Sequence, residues 1–319
     1  MILTTAVQTR FAEEVCAGLQ KPGQKELPSK YLYDAVGSRL FDVITELPEY
    51  GLTRAEDRIL ERHARDIALR VPHAVAIAEL GSGSGMKTRR VLGALSRDHH
   101  ARYFPIEISH TALAACEREM RDIGSLSVVG IEREYLDGLL EVAARRREGE
   151  HLLVLFLGST IGNFEPPAAL VFLRKIRSML EPGDFLLLGT DLLKPVSILL
   201  DAYDDPLGVT AAFNLNLLAR INRELGGHFL LAQFEHEARF NEKARSIEMH
   251  LRAKQAQAVS IDAADITIAF REGETIWTES SHKYRRPEIP VMAADSGFAC
   301  SAQWIDEEWG FAENLWVAE

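Results

Sequence analysis

The stretch "ELGSGSGMKT", Glu79 to Thr88, decides how this chain is read. Three glycines alternate with serines directly after an apolar run, Val75-Ala76-Ile77-Ala78. An apolar run, a glycine-rich turn and a helical period in succession spell strand, turn and helix, and a turn of that kind holds a cofactor. The pattern repeats. The runs Val75–Leu80, Tyr103–Ile108, Ser127–Ile131, Leu152–Leu157 and Phe185–Asp191 read as strands. The stretches Lys87–Leu95, Thr111–Met120, Leu136–Arg147 and Pro167–Leu180 read as helices separating them. Strand–helix alternation predicts a parallel sheet covered on both faces, and right-handed crossovers make it a doubly wound, Rossmann-like α/β sheet. Ligands of such sheets bind beyond the carboxyl ends of the strands.

The flanks differ. Phe11–Leu19 and Thr53–Val71 read as helices, as do Val196–Tyr203 and Ala211–Leu225. The period then switches to two: in "SIEMHLRAK", Ile247, Met249 and Leu251 alternate with Glu248, His250 and Arg252. "HFLLAQFEHEARF" before it and "QAVSIDAADITIAF" after it complete an antiparallel group. The last segment, "FACSAQWIDEEWGFAENLWVAE", reads as two strands joined by an acidic loop. The final hairpin could belong to either unit; given to the doubly wound one, the expected layout is a unit over 55–194 and 285–319 whose sheet ends in an antiparallel hairpin. An inserted α+β domain made of 1–54 and 195–284 accompanies it.

The 319 residues carry a net charge of −11, which leaves no basic excess for nucleic acid. The densest basic run, Arg145-Arg146-Arg147, lies among Glu141, Glu148 and Glu150 and reads as a solvated helix end. Three cysteines at long spacings, Cys16, Cys116 and Cys300, fit a reduced compartment and form no zinc motif. Met1–Thr5 shows no leader pattern, and no apolar stretch is long enough for a bilayer. The expectation is a cytoplasmic monomer without membrane, nucleic-acid or metal partner.

Spacing bears on which cofactor the turn holds. Dinucleotide binding needs G-x-G-x-x-G, but the third position after Gly81 and Gly83 is Met86. The form Gly81-x-Gly83-x-Gly85, preceded by Glu79, is the looser one used by S-adenosylmethionine-binding sheets. Glu107, near the end of the second strand, suits ribose hydroxyls, and Glu134 after the third suits an adenine amino group. Lys87 could pair with a carboxylate. Spacing alone leaves a nicotinamide cofactor open, because that cofactor would also want Glu107. "FEHEARF" lacks a second metal-spaced histidine, so His236 reads as a surface or cross-strand residue. "GSTIG", centred on Thr160, is no nucleophile elbow. Asn163 is either an orienting amide or a helix cap before Pro166.

Several long stretches together carry a resemblance. They are "YDAVGSRLFDVITELPEY" (33–50), "ELGSGSGMKT", "FLGSTIGN" (156–163), "LLLGTDLLKP" (186–195), "AYDDPLGVTAAFNLNLLARINRELGG" (202–227), "IEMHLRAK" (247–254) and "TESSHKYRRPE" (278–288). Over nearly its whole length the chain resembles the bacterial L-histidine Nα-methyltransferases of ergothioneine biosynthesis. The resemblance implies methyl transfer from S-adenosylmethionine to the α-amine of L-histidine, three times. It also implies roles. Tyr33 and Asn163 would be catalytic. Tyr50, Asn163, Tyr203, Met249, Glu279 and Ser281 would bind the substrate. Tyr33, Gly81, Gly83, Lys87, Glu107, Glu134 and Tyr135 would bind the donor. The chain departs from the family's pattern in three ways. Gly51-Leu52 follow Tyr50 where a tyrosine and a proline are usual, His282 stands where cysteine is common, and Glu107 and Glu134 stand where aspartates are common, with Asp137 as an alternative to the latter. A methyltransferase of another amino acid or aromatic amine, or a non-catalytic amino-acid sensor, would share the fold.

Overall fold

A computed structural model describes residues 6–72, 75–97 and 100–319, with the side chains of 6 and 7 left aside; Met1–Thr5, on which the leader reading rests, lie outside the described residues. The chain divides into two compact units, 1–50 with 195–281 and 51–194 with 282–319.

The second unit is built on a seven-stranded sheet. Its spatial order is Phe298–Asp306, Phe311–Ala318, Phe185–Asp191, His151–Phe156, Val75–Leu80, Ala101–Ile106, Leu126–Val128. The last five pair in parallel, and the hairpin Phe298–Ala318 adds to them antiparallel through Phe311–Ala318. Chain order reverses at Val75–Leu80, which pairs with Ala101–Ile106 on one side and with His151–Phe156 on the other. The carboxyl end of that reversal is where doubly wound sheets bind ligands. Every residue of Val75–Leu80 is buried, because helices cover both faces of a parallel sheet. The helix Pro166–Ser178 shows how: Ala169, Phe172, Leu173 and Ile176 bury one stripe, and Pro166 starts the helix where no N–H is needed.

Two expected strands end early. The second stops at Ile106, leaving Glu107 in the following turn, and the third spans only Leu126–Val128. The basic run is also less solvated than its charge suggests. Arg145 pairs with Glu141 on the surface, but Arg146 donates to the buried Asp184, which also accepts the Leu152 N–H.

The first unit holds a four-stranded sheet in the order Lys25–Glu26, Thr275–His282, Ser246–Ala253, Phe234–Asn241. Here the expected single antiparallel group separates in two. Gln257–Ile261 and Ile266–Phe270 form a two-stranded sheet of their own, with an isolated bridge from Ile261 to Gly227, since Asp265 takes a left-handed conformation (φ 48°) and closes them into a hairpin. Thr275–His282 takes the place beside Ser246–Ala253. Helices Ala35–Glu46, Val196–Tyr203 and Val209–Leu225 belong to the same unit, and the last begins at Gly208, its first N–H groups taken by Asp205 of the preceding turn. Asp205 accepts the Val209 and Thr210 N–H groups at 2.9 and 2.7 Å. Asp205→Ala should cost about 1 kcal/mol of stability, read as a lower denaturation midpoint in urea; an unchanged midpoint contradicts the capping role.

Candidate active site

In the second unit the glycine turn leaves Val75–Leu80 at the order reversal, and the Gly158–Asn163 turn leaves the neighbouring strand His151–Phe156. Gly81, Gly83 and Gly85 all have positive φ, at 78°, 52° and 77°, which only glycine adopts without strain. Each also meets a different neighbour. A Cβ on Gly85 would lie 2.7 Å from Met120 and 2.8 Å from Cys116, so the third glycine serves close approach to the helix His110–Glu119. A Cβ on Gly81 would lie 3.0 Å from the Tyr135 hydroxyl, whereas one on Gly83 would meet nothing within 4 Å. The turn is therefore packed from below and open at Gly83.

Glu107 fastens this turn. Its carboxylate accepts the Gly83 N–H at 3.3 Å and the Ser109 N–H at 3.0 Å while staying half-buried. Ile108, directly after it, and Met86 in the turn are exposed apolar side chains. Tyr135 begins the helix Tyr135–Ala144, with its ring against Phe156 and Phe172. Burial, and then the charge of Glu107, push its phenol up. Glu134 and Asp137 are exposed beside it. Bare backbone, apolar cover and a carboxylate suit a nucleoside whose linkage carries no phosphate, which is what the S-adenosylmethionine reading asks of them. Lys87 is otherwise engaged: its ammonium pairs with the fully buried Glu56, whose other oxygen accepts the Gly158 N–H.

Asn163 ends the short 3-10 helix Thr160–Asn163, and the residue at the cap of the next helix is Glu165. The amide is therefore not that helix's N-cap. Ser159, left-handed at φ 56°, accepts the Asp191 N–H through its hydroxyl at 2.8 Å. Gly162 is glycine because a Cβ would lie 2.8 Å from the His282 carbonyl. Asp191 is buried with Lys194 and Lys283 on its two oxygens. Desolvation brings the Lys194 ammonium down to about 8, in spite of the Asp191 charge. Trp309 donates to Asp191 at 3.2 Å.

The first unit assembles the other candidate residues. Asp34 caps the helix Ala35–Glu46 by accepting the Gly37 N–H at 2.7 Å, and so fixes Tyr33 immediately before it. Tyr33 packs on Phe41 and Phe213 with ring centroids 5.5 and 5.4 Å away, Phe41 on Tyr50 at 6.2 Å, and Tyr50 on Tyr203 at 6.1 Å. The Tyr203 hydroxyl then donates to Ser281 Oγ at 2.8 Å. Ser281 and Glu279 share one face of the strand Thr275–His282, and both are buried. Met249, buried on the adjacent strand, accepts from Thr278 through its carbonyl at 3.0 Å. Tyr33, Tyr50, Tyr203 and Ser281 are thus joined by a run of contacts through Phe41, with Glu279 on the strand of Ser281 and Met249 on the strand beside it.

Sequence reasoning missed what stands behind that assembly. Phe41 connects Tyr33 to Tyr50, although only its place in an apolar stripe marks it. His236, expected at a surface or across strands, lies across from Leu251 and is half-buried. Its Nε2 bonds the Tyr203 carbonyl at 2.7 Å and its Nδ1 bonds the Asn214 amide at 3.0 Å. Burial lowers its basicity, so the neutral ring donates through Nε2 and accepts through Nδ1. In the second unit, Glu56 stands four residues from Leu52 and four from Leu60, all on the buried stripe of Leu52–Arg70. An acid on an apolar stripe is the signal that was available.

Among the described residues no group of His, Cys, Asp or Glu could hold a metal ion, and no helix is long and apolar enough to cross a membrane.

The glycine turn also carries a titrating group. Glu79 is buried, accepts from Thr88 and Tyr103, and has its carboxyl pushed up from the ordinary 4.5 to about 7 by desolvation. The folded chain thus binds this proton more tightly than the unfolded chain. Stability from this group is present below pH 4.5, falls as pH rises through the folded value near 7, and is level above it. Glu79→Gln should remove roughly 2–3 kcal/mol of the loss between about pH 5 and 8. Urea unfolding at both pH values tests this, and an equal loss in both proteins contradicts it.

The profile of a family described as histidine-specific methyltransferase, SAM-dependent, matches residues 11–318. A histidine N-alpha-methyltransferase of Mycobacterium tuberculosis is 42% identical over 304 residues, covering 95% of this chain and 93% of that protein. One from Mycolicibacterium smegmatis is 43% identical over 310 residues, covering 95% and 94%. Ergothioneine biosynthesis protein 1 of Neurospora crassa is 30% identical over 308 residues, covering 95% of this chain and 34% of that longer protein.

Proposed function

The chain belongs to the histidine-specific, S-adenosylmethionine-dependent methyltransferase family, and on that premise we propose how it acts. It is an N-methyltransferase that moves methyl groups from S-adenosylmethionine to the α-amine of L-histidine. Our reading adds three points: transfer occurs three times and gives trimethylhistidine for ergothioneine biosynthesis, the second unit binds the donor, and the first unit binds the amino acid. The observation that carries the substrate assignment is the Tyr203–Ser281 hydrogen bond, with Glu279 two residues before Ser281 on the same strand.

S-adenosylmethionine supplies an electrophilic methyl group on a sulfonium. The chain's part is to hold and orient. Gly81, Gly83, Glu107, Glu134 and Tyr135 hold the donor, with Glu107 on the ribose. Lys87 acts through Glu56 rather than as a free cation, so its contribution is to the shape and charge of the glycine turn. In the first unit a carboxylate and a hydroxyl on one strand face suit the two nitrogens of an imidazole, and Met249 adds an apolar wall. Tyr50 and Tyr203 hold the amino-acid end, and Asn163 orients the amine.

Orientation matters because methyl transfer is an in-line displacement, and proximity supplies much of the acceleration. The amine must be neutral to attack. An α-ammonium titrates near ~8, so a minor neutral fraction exists at physiological pH. In each transfer the N–C bond forms as the S–C bond breaks and S-adenosylhomocysteine leaves; the ammonium formed loses a proton to water before the next attack, the third product is a permanent cation, and the Tyr33 ring attracts such a cation by about 0.5–2 kcal/mol. The notion of a cytoplasmic monomer rests on composition, and the scattered free cysteines support the reducing compartment.

Glu279→Ala should leave donor binding intact and weaken histidine at least about fivefold, since an unmade buried hydrogen bond costs about 1–3 kcal/mol. Calorimetric titration with histidine reads this directly, and unchanged affinity overturns the imidazole assignment. Mass spectrometry of histidine after incubation with the donor counts the methyl groups. A product that stops at one methyl overturns trimethylation, and a product from tryptophan but not from histidine overturns the substrate.

A further inference from the structure

Beneath the turn after Phe156, the second unit buries two carboxyl groups against one ammonium. Glu56, fully buried on Leu52–Arg70, takes Lys87 on one oxygen and the Gly158 N–H on the other. Glu313, on Phe311–Ala318, is also fully buried, and among the described residues no N–H or O–H donor is hydrogen-bonded to either of its oxygens. The two acids meet over Gly189, the cross-strand partner of Glu313. A Cβ on Gly189 would lie 2.9 Å from Glu56 Oε1 and 3.2 Å from Glu313 Oε1. The missing side chain is the space that lets them approach.

Charge balance then decides the protonation. Two ionised carboxylates facing a single ammonium would leave one buried charge uncompensated and two acceptors without a donor. The other ionisable group that bears on Lys87 is Glu79, itself an acid, so it adds no positive charge. One proton placed on Glu313 removes the excess charge and supplies the missing donor. Burial, followed by the Glu56 charge, holds the Glu313 carboxyl well above the usual carboxylate range.

We propose that Glu56 and Glu313 share a single proton and act as a positioning pair, whose one negative charge on Lys87 holds the end of the glycine turn and the Gly158 turn at a fixed spacing. The pair touches neither reactant. Its link to catalysis rests on the reading above, in which those two turns carry the donor and the amine. Either acid can bear the single charge. In Glu313→Gln, Glu56 keeps it and the amide stands in for the protonated acid. In Glu56→Gln, Glu313 ionises against Lys87, but the Gly158 contact is weakened. With both changed, the half-buried Lys87 ammonium loses the anion it pairs with.

The experiment compares the two single variants, the double variant and wild type. It follows kcat and KM for S-adenosylmethionine, affinity for S-adenosylhomocysteine by calorimetry, and melting temperature. Relative to wild type, kcat/KM for the donor should fall about threefold in Glu313→Gln, about tenfold in Glu56→Gln and more than about a hundredfold in the double variant, beyond the product of the singles. Infrared spectra at about pH 9, above the titration of Glu79, should show a protonated-carboxyl band in wild type that is absent from Glu313→Gln. Losses that simply multiply, or no such band, overturn the shared proton. A fall in melting temperature with kcat and KM unmoved overturns the positioning role. Gly189→Ala, which keeps both acids but crowds them, should lower kcat/KM at least as much as Glu56→Gln, and full activity there overturns the geometry. Wild type that binds neither histidine nor S-adenosylhomocysteine sinks the functional reading itself, which distinguishes that failure from failure of the pair.

Discussion

The constraint on which the second unit depends is the reversal of strand order at Val75–Leu80. That strand is hydrogen-bonded on both sides, to Ala101–Ile106 and to His151–Phe156. Its carboxyl end and that of His151–Phe156 open side by side, and the two crossovers leave in opposite directions. The turns that follow, at Gly81 and at Gly158, are therefore neighbours whatever their sequences. What the sequence adds is how closely each can be packed. Gly85 admits a helix, Gly81 admits a tyrosine hydroxyl, and Gly83 stays bare. A glycine-rich turn is three separate solutions to three contacts rather than a flexible loop.

Charge is then used sparingly and in buried form. Glu107 fastens the glycine turn through two backbone N–H groups. Glu56 fastens Lys87 and the Gly158 turn, and Asp191 gathers Lys194, Lys283 and the Trp309 indole. A buried acid that must satisfy its neighbours fixes their spacing more tightly than apolar packing does, because leaving it unpaired costs about 3–5 kcal/mol. This applies where a displacement of about one ångström can alter the rate a hundredfold.

Much of this was legible in advance, for a physical reason. The parallel strands are buried on both faces and so read as continuous apolar runs. The glycine spacing excluded the dinucleotide motif at Met86. The antiparallel part was harder. "QAVSIDAADITIAF" has a good strand period throughout, but pattern does not say which strand it pairs with. Asp265 in a left-handed conformation turned it back on itself. The contacts behind the candidate residues were illegible for a related cause. His236 and Tyr203 are 33 positions apart, and Tyr203 and Ser281 are 78 apart. No local period encodes such a meeting, and only the long stretches of family likeness pointed to Tyr203 and Ser281 together.

The departures from the family's pattern can be argued the same way. Gly51 follows Tyr50 where a tyrosine is usual, which alone looks like a lost aromatic wall. Yet a Cβ on Gly51 would lie 2.1 Å from the Trp309 ring, so the indole occupies the space beside the backbone there. Trp309 is no passive filler: its N–H bonds Asp191, and the Lys194 ammonium lies 4.6 Å from its ring centre. In this chain the aromatic surface beside Gly51 comes from the turn of the C-terminal hairpin. A substitution to tyrosine at 51 with Trp309 in place would overpack the site, and removing the indole alone would leave the Asp191 group short of a donor. The two positions have to be read as one choice, which a comparison made position by position would score as a loss at 51.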